Sequence, residues 1–133
     1  MKIRFSIAVS LLAILAMALA HGQSPPNTVR LDIPFKFMVG KQEMPAGKYE
    51  IVMSHGGVPN LQLRNRDTGK AMYIHVIERL AETNPSQKHG ARVVFDTVGD
   101  QRFLSEFWPA DNADGYLLGI NKGEQKHAIV EEK

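Results

Sequence analysis

Hydrophobic and polar residues alternate along the segment from Val29 to Val39. Every odd-numbered position in this segment is apolar, and the positions between are mostly charged. A repeat with a period of two residues is typical of a β-strand that buries one face. Pro34 has no N–H to donate to a neighbouring strand, so this strand is predicted to lie at a sheet edge or to bend there.

Two turns separate the strands that are predicted next. Residues 44–47, Met-Pro-Ala-Gly, place Pro and Gly where a tight turn favours them. The strand that follows has Tyr49, Ile51 and Met53 on one face, and residues 54–57 turn the chain again. The sequence therefore predicts a series of strands joined by short turns.

A four-residue turn, Arg66–Gly69, sets the alignment of a third strand that ends at Asn65 and a fourth over residues 70–78. If Asn65 pairs with Lys70 across this turn, residues at opposite positions share a face. The core face then consists of Leu61, Leu63, Met72, Ile74 and Val76, and Tyr73 and His75 lie on the other face.

Residues 79–90 are polar and show neither strand nor helix periodicity, so a long loop is predicted. Two apolar-rich segments then form a predicted hairpin, residues 91–98 and 102–108, around Gly99-Asp100-Gln101. A three-residue loop aligns the apolar faces of the two strands. A two-residue loop would set Asp96 opposite Phe103 and mix the faces, so the three-residue loop is favoured.

This alignment predicts the neighbours across the hairpin. The inner pairs are Val93 with Phe107, Phe95 with Ser105 and Thr97 with Phe103, which predicts Phe103 and Phe107 in the core. On the outer face Arg92 lies opposite Trp108, within reach of a cation–π contact, and Asp96 is diagonal to Arg102.

Together these elements predict an all-β fold, a single small antiparallel β-sandwich or barrel-like meander of about six to seven strands. With a short last strand over residues 116–120, the β domain covers residues 29–120. Residues 21–28, which include Pro25-Pro26, are predicted to be an exposed leader. The charged residues 121–133 are predicted to be a C-terminal tail or a short helix.

Residues 1–20 have the three features of a cleavable secretory signal peptide. Lys2 and Arg4 provide the positive start, an apolar run follows over residues 5–19, and small residues flank Leu19. The run is shorter than the roughly 20 residues that cross a bilayer. Cleavage is predicted after Ala20 or Gly22, with export to the periplasm or beyond the cell and no transmembrane segment afterwards.

Removal of the signal peptide changes the charge balance. The chain has 133 residues with 16 Lys and Arg against 14 Asp and Glu, so loss of Lys2 and Arg4 leaves 14 of each sign. A neutral mature chain gives no support to nucleic-acid binding. The chain also contains no cysteine, which excludes disulfides and thiolate chemistry.

Four short motifs occur in order along the chain. They are Val39-Gly40, Met44-Pro45-Ala46-Gly47-Lys48-Tyr49, Val98-Gly99-Asp100 and Phe103-Leu104-Ser105-Glu106-Phe107-Trp108. This pattern resembles a family of small exported bacterial proteins of acidobacterial type with the pattern VG…LPAGxY…YGDxxFLxxxW. The chain departs from it at Met44 and Val98 and matches weakly after Pro109. The resemblance implies export and an all-β fold, and it carries over no catalytic residue.

Chemistry at the candidate residues is sparse. The five histidines are scattered without the short spacing of zinc ligands, so neither a metal site nor a cofactor is predicted. Asp96 and Glu106 share the outer face of the hairpin, and two such carboxylates could act as acid and base on a glycosidic bond. The simpler interpretation is a solvated face on which Arg92 and Arg102 neutralise them.

Three functions therefore remain open. The preferred hypothesis is a non-enzymatic exported binding or envelope-interaction module with a protein or glycan partner. Its candidate binding residues are Tyr73, His75, Arg92, Asp96, Glu106 and Trp108. The alternatives are a barrel that carries a small apolar ligand among its phenylalanines and a small glycan-active enzyme that uses Asp96 and Glu106. For Trp108, docking of a partner competes with coverage by residues 111–120 or by the C-terminal tail.

Overall fold

The protein is described by a computed structural model that covers residues 28–54, 59–83, 90–110, 114–121 and 126–133. The predicted signal peptide and residues 21–27 of the predicted leader lie outside these ranges, and Thr28 already belongs to the first strand. Within the described ranges, no helix has the length and apolar character needed to cross a membrane.

Eleven strands make up the secondary structure of the described residues. They are β1 Thr28–Ile33, β2 Phe37–Val39, β3 Gln42–Met44, β4 Gly47–Met53, β5 Leu61–Asn65, β6 Ala71–Ile74, β7 Glu78–Ala81, β8 Arg92–Val98, β9 Gln101–Trp108, β10 Asp114–Leu117 and β11 Lys126–Glu131. The all-β prediction is confirmed, although the strands are shorter and more numerous than expected.

The strands form two sheets that face each other as a sandwich and do not close into a barrel. The small sheet has the order β1-β4-β5-β6 and the large sheet the order β11-β8-β9-β10-β7. The β2–β3 hairpin joins the large sheet through a parallel pair between Met38 and Phe103. Neighbouring strands are otherwise antiparallel.

Pro34 marks the point at which the chain passes from one sheet to the other. Strand β1 ends at Ile33 in the small sheet, and β2 begins at Phe37 in the large sheet. The strand predicted over residues 29–39 is therefore two strands. Both expectations for Pro34 hold, because β1 is an edge strand and the chain bends after it.

The third and fourth predicted strands pair as expected over their first part. Leu61 lies opposite Ile74 and Leu63 opposite Met72. The chain then leaves the small sheet after Ile74, and strand β7 pairs with β10 in the large sheet. The prediction of a loop from residue 79 is wrong for the residues of β7. Strand β7 lies at a sheet edge and exposes most of its side chains, so its sequence has no apolar alternation that would predict a strand.

The predicted hairpin forms with a different turn. Val98 pairs with Gln101 across the two residues Gly99 and Asp100, and Gly99 has a φ of 61°. Asp96 therefore lies opposite Phe103, as the rejected two-residue loop required. Phe103 is half-exposed outside the core, so its predicted burial is wrong.

A β-bulge at Ser105 corrects the register further along this hairpin. The pairing shifts by one residue between Val94 and Phe95, so that Val93 again faces Phe107 and Arg92 faces Trp108, as predicted. The extra residue lets both ends of the hairpin bury apolar side chains despite the short turn. The predicted pairs Phe95–Ser105 and Thr97–Phe103 are replaced by Phe95–Leu104 and Thr97–Arg102.

Residues 126–131 of the C-terminal segment form a strand, where a tail or a short helix was predicted. Strand β11 pairs with β8 from Lys126 to Glu131 and half-buries Ala128 and Val130 against the core. The C-terminal residue Lys133 reaches the small sheet, where its Nζ lies 2.6 Å from Asp32 Oδ2. This ion pair holds the pKa of Asp32 below its usual value.

Aromatic rings occupy the centre of the sandwich. Phe95 makes edge contacts with Phe35 and Phe37, with ring centroids 4.9 and 5.3 Å apart, and Phe37 contacts Tyr49 at 5.2 Å. The hydroxyl of Tyr49 donates to the carbonyl of Pro45 at 2.6 Å, and burial raises the pKa of this phenol. Three of the phenylalanines that the carrier hypothesis placed around a ligand, Phe35, Phe37 and Phe95, therefore contact one another.

Candidate functional site

A groove of about 440 Å³ lies on the outer face of the large sheet, and we call it the outer groove. Its lining comes from four strands and the residues that follow β7. The central strands β8 and β9 form its floor, and the edge strand β11 and residues 80–83 flank them. Groups that are distant in the chain therefore meet on one surface.

Cross-strand register explains which side chains share this surface. Ile129 pairs with Val94, and Val94 pairs with Glu106, so these three residues form a row across β11, β8 and β9. Arg92 lies opposite Trp108 in the next row. Because opposite residues project from the same face, all five contribute to the outer groove.

Trp108 is covered by the protein itself and is only 8% exposed. One side of its indole rests on Gly115 of β10, where an added Cβ would lie 2.4 Å from Cδ2. The guanidinium of Arg92 lies over the ring at 5.0 Å from its centroid, which confirms the predicted cation–π contact. Of the two explanations for Trp108, coverage from within the chain accounts for its burial, and Gly115 of strand β10 provides part of that cover.

Arg92 connects the floor of the outer groove to the segment after β7. Its Nη2 lies 3.0 Å from Oε2 of Glu82, and both side chains are largely buried. The predicted neutralisation of Asp96 and Glu106 by Arg92 and Arg102 is not observed. Arg92 pairs with Glu82 instead, and Arg102 lies over the ring of Phe35 at 4.4 Å. The pairing of β7 with β10 was not predicted, and Glu82 follows β7 directly, so its contact with Arg92 was not expected from the sequence.

Asp96 is the centre of a polar cluster beside the outer groove and is itself only 5% exposed. Its Oδ1 lies 2.9 Å from Nδ1 of His127 and 3.2 Å from Oγ of Ser105. Its Oδ2 accepts a hydrogen bond from Nδ2 of Asn121 at 3.1 Å. Ser105 contacts the carboxylate and the carbonyl of Val94, so the His127 imidazole is not placed to take its hydroxyl proton.

Glu106 differs from the other acids of this region. Its side chain is half-buried, and Oε2 accepts a hydrogen bond from Nε1 of Trp108 at 2.8 Å. Among the described residues, no basic side chain forms an ion pair with it. Glu82 and Asp96, by contrast, each contact a basic residue.

The six predicted binding residues divide between two surfaces. Arg92, Asp96, Glu106 and Trp108 come together at the outer groove or directly beside it. Tyr73 lies opposite Gln62 on the outer face of the small sheet, where it is 76% exposed, and His75 is exposed just after β6.

Several contributors to the outer groove were not identified from the sequence. His127 and Ile129 belong to a segment that was predicted to be a tail or a short helix, and Glu82 belongs to the predicted loop. The only sequence signal for β11 was the short apolar run Ala128-Ile129-Val130 within a charged segment. That signal does not indicate which strand the segment pairs with.

The described residues contain no cluster of three or more histidine or carboxylate side chains that could hold a metal ion. No family model matches the chain, and no curated protein or solved structure matches it.

Proposed function

We propose that the chain is an exported, non-enzymatic binding module that holds its partner in the outer groove. The observation that carries this proposal is a groove of about 440 Å³ whose charged walls are held by internal contacts. Pockets of roughly 300 to 1,000 Å³ are the usual size of ligand sites. Because Arg92, Trp108 and Glu106 are already oriented by one another, little conformational entropy is lost when a partner binds.

The contacts and burial of Asp96 favour a binding function over the alternative of glycan hydrolysis by Asp96 and Glu106. Both oxygens of Asp96 are engaged, and the side chain is buried, so it offers no oxygen to a substrate. An acid–base pair requires two groups that can reach the bond being broken. Glu106 alone does not provide that pair.

Site-directed photocrosslinking tests the proposal. The chain has no cysteine, so a single cysteine introduced at a chosen position labels uniquely with a thiol-reactive photocrosslinker. We expect labelled mature protein carrying Ile129→Cys to form a discrete adduct in envelope extract of the producing organism. Excess unlabelled wild-type protein should lower the yield of this adduct, because it competes with the labelled protein for the same partner.

Two further positions serve as comparisons. Tyr73→Cys places the label on the outer face of the small sheet, and Lys41→Cys places it at an exposed turn. Neither should form the competed adduct. Adducts of equal yield at all three positions, or at Tyr73→Cys alone, would contradict the assignment of the outer groove as the binding surface.

A further inference from the structure

We infer that the outer groove receives a basic side chain, lysine or arginine, of a partner protein, with Glu106 as its counter-ion. This inference rests on the proposed function and specifies the chemistry of the partner. The titratable groups that line the outer groove are the carboxylates of Glu82 and Glu106, the guanidinium of Arg92 and the imidazole of His127.

Among the described residues of this region, Glu106 is the carboxylate that has no basic partner. Arg92 pairs with Glu82 at 3.0 Å, and the oxygens of Asp96 beneath the groove are occupied by His127, Ser105 and Asn121. Glu106 has only the neutral indole N–H of Trp108 as a partner among the described residues. A half-buried carboxylate has lost part of its hydration, so an arriving cation gains more there than at a fully exposed acid.

The surroundings of Glu106 in the outer groove also match the shape of a lysine or arginine side chain. Trp108 holds Oε2, which leaves Oε1 as an acceptor for a donor that enters the groove. Val94 and Ile129 lie in the same row as Glu106, and Ile129 is 60% exposed. Lysine and arginine carry an apolar stem behind a charged end, and this row provides an apolar surface beside a carboxylate.

A segment of a partner protein fits the outer groove better as an occupant than a free cation does. A single ion pair at a partly exposed carboxylate contributes little by itself, because water and salt screen it. Useful affinity therefore requires additional apolar contact, which the stem and the neighbouring residues of a partner chain supply. The volume of about 440 Å³ also exceeds what one ammonium group fills.

Tryptophan fluorescence measures occupation of this groove directly, because Trp108 is the only tryptophan of the chain and lines the site. The probes are capped peptides of equal length with a central lysine, arginine, norleucine or glutamate. We expect the lysine and arginine peptides to cause a saturable change in Trp108 fluorescence. The norleucine and glutamate peptides should cause none. Butylamine, a free cation with an apolar stem, should bind at least about tenfold more weakly than the lysine peptide.

Glu106→Gln is the decisive variant, since it removes the charge but keeps an oxygen that can accept from Trp108. We expect it to raise the dissociation constant for the lysine peptide at least about tenfold. Glu43→Gln makes the same change of net charge on an exposed strand of the β2–β3 hairpin and should leave binding unchanged. Equal unfolding midpoints of the two variants would confirm that both are folded.

Several results would overturn the inference. They are the absence of saturable binding up to the solubility limit of the lysine peptide, equal binding of the norleucine peptide, butylamine binding as tight as the peptide, and equal weakening by both substitutions. These results would leave the crosslinking test intact, because that test makes no assumption about partner charge. An absent or unlocalised crosslink would instead remove the proposed function itself.

Discussion

Trp108 determines which residue is tolerated on the neighbouring strand. Its indole occupies the space above Gly115, so the Cβ of Gly115→Ala would lie 2.4 Å from a ring carbon. We expect this substitution to lower the free energy of unfolding by about 1 to 3 kcal/mol, the usual effect of overpacking. Chemical denaturation followed by circular dichroism measures the loss, and a shifted emission spectrum should accompany it because the ring must move.

The matched control is Gly90→Ala, where an added Cβ meets no atom within 4 Å and the backbone is not in the left-handed region. Its unfolding midpoint should stay near that of the wild-type protein. If Gly115→Ala lowered the free energy of unfolding as little as Gly90→Ala does, the indole of Trp108 would not rest on Gly115.

At the scale of whole elements, β11 is a structural strand of the large sheet. It covers one side of β8, half-buries Ala128 and Val130, and places His127 on the buried Asp96. A chain that ends at residue 125 loses this apolar contact and one hydrogen-bond partner of a buried carboxylate. We expect a decrease of about 2 to 5 kcal/mol in the free energy of unfolding.

Denaturant titration of the shortened chain and the full chain measures this difference. A chain that lacks only residues 132–133 serves as the control, since it keeps β11 and loses the Lys133–Asp32 ion pair and the backbone hydrogen bonds of residues 132 and 133 to Ala91 and Arg30. It keeps the apolar contacts of β11 and the contact of His127 with Asp96, so its decrease in the free energy of unfolding should be smaller than that of the chain that ends at residue 125. Identical midpoints for all three chains would mean that the C-terminal segment is a frayed tail, one of the two alternatives predicted from the sequence.

For the molecule as a whole, export remains a prediction from the sequence. The sandwich forms without cysteine, so its stability does not depend on the redox state of the compartment in which it folds. We expect protein recovered from the exported fraction to begin at His21 or Gln23 and to stay in solution without detergent. Intact-mass measurement tests both the cleavage and its position. Recovery of the uncleaved chain from membranes would contradict the prediction.

Local signals in the sequence predicted a large part of the fold. The turn at Arg66–Gly69 placed Leu61 opposite Ile74, and the alternation from Val29 to Val39 predicted extended chain on both sides of Pro34, although as one strand and not as two. Such features depend on residues a few positions apart, so a short stretch of chain contains the information that specifies them. Arg92 and Trp108 are neighbours as predicted, but only because the bulge at Ser105 offsets the turn, which is one residue shorter than predicted.

The remaining features were decided only by the tertiary structure. The bulge at Ser105 exists because both ends of a hairpin with a two-residue turn must present apolar residues to the same core. The outer groove exists because β11 and the residues after β7 reach β8 and β9 from distant parts of the chain, which brings His127 and Glu82 to Asp96 and Arg92. Alternation and turn residues indicate that a segment is a strand. They do not specify its partner strand, because that choice depends on which long-range pairing buries the most apolar surface for the whole chain.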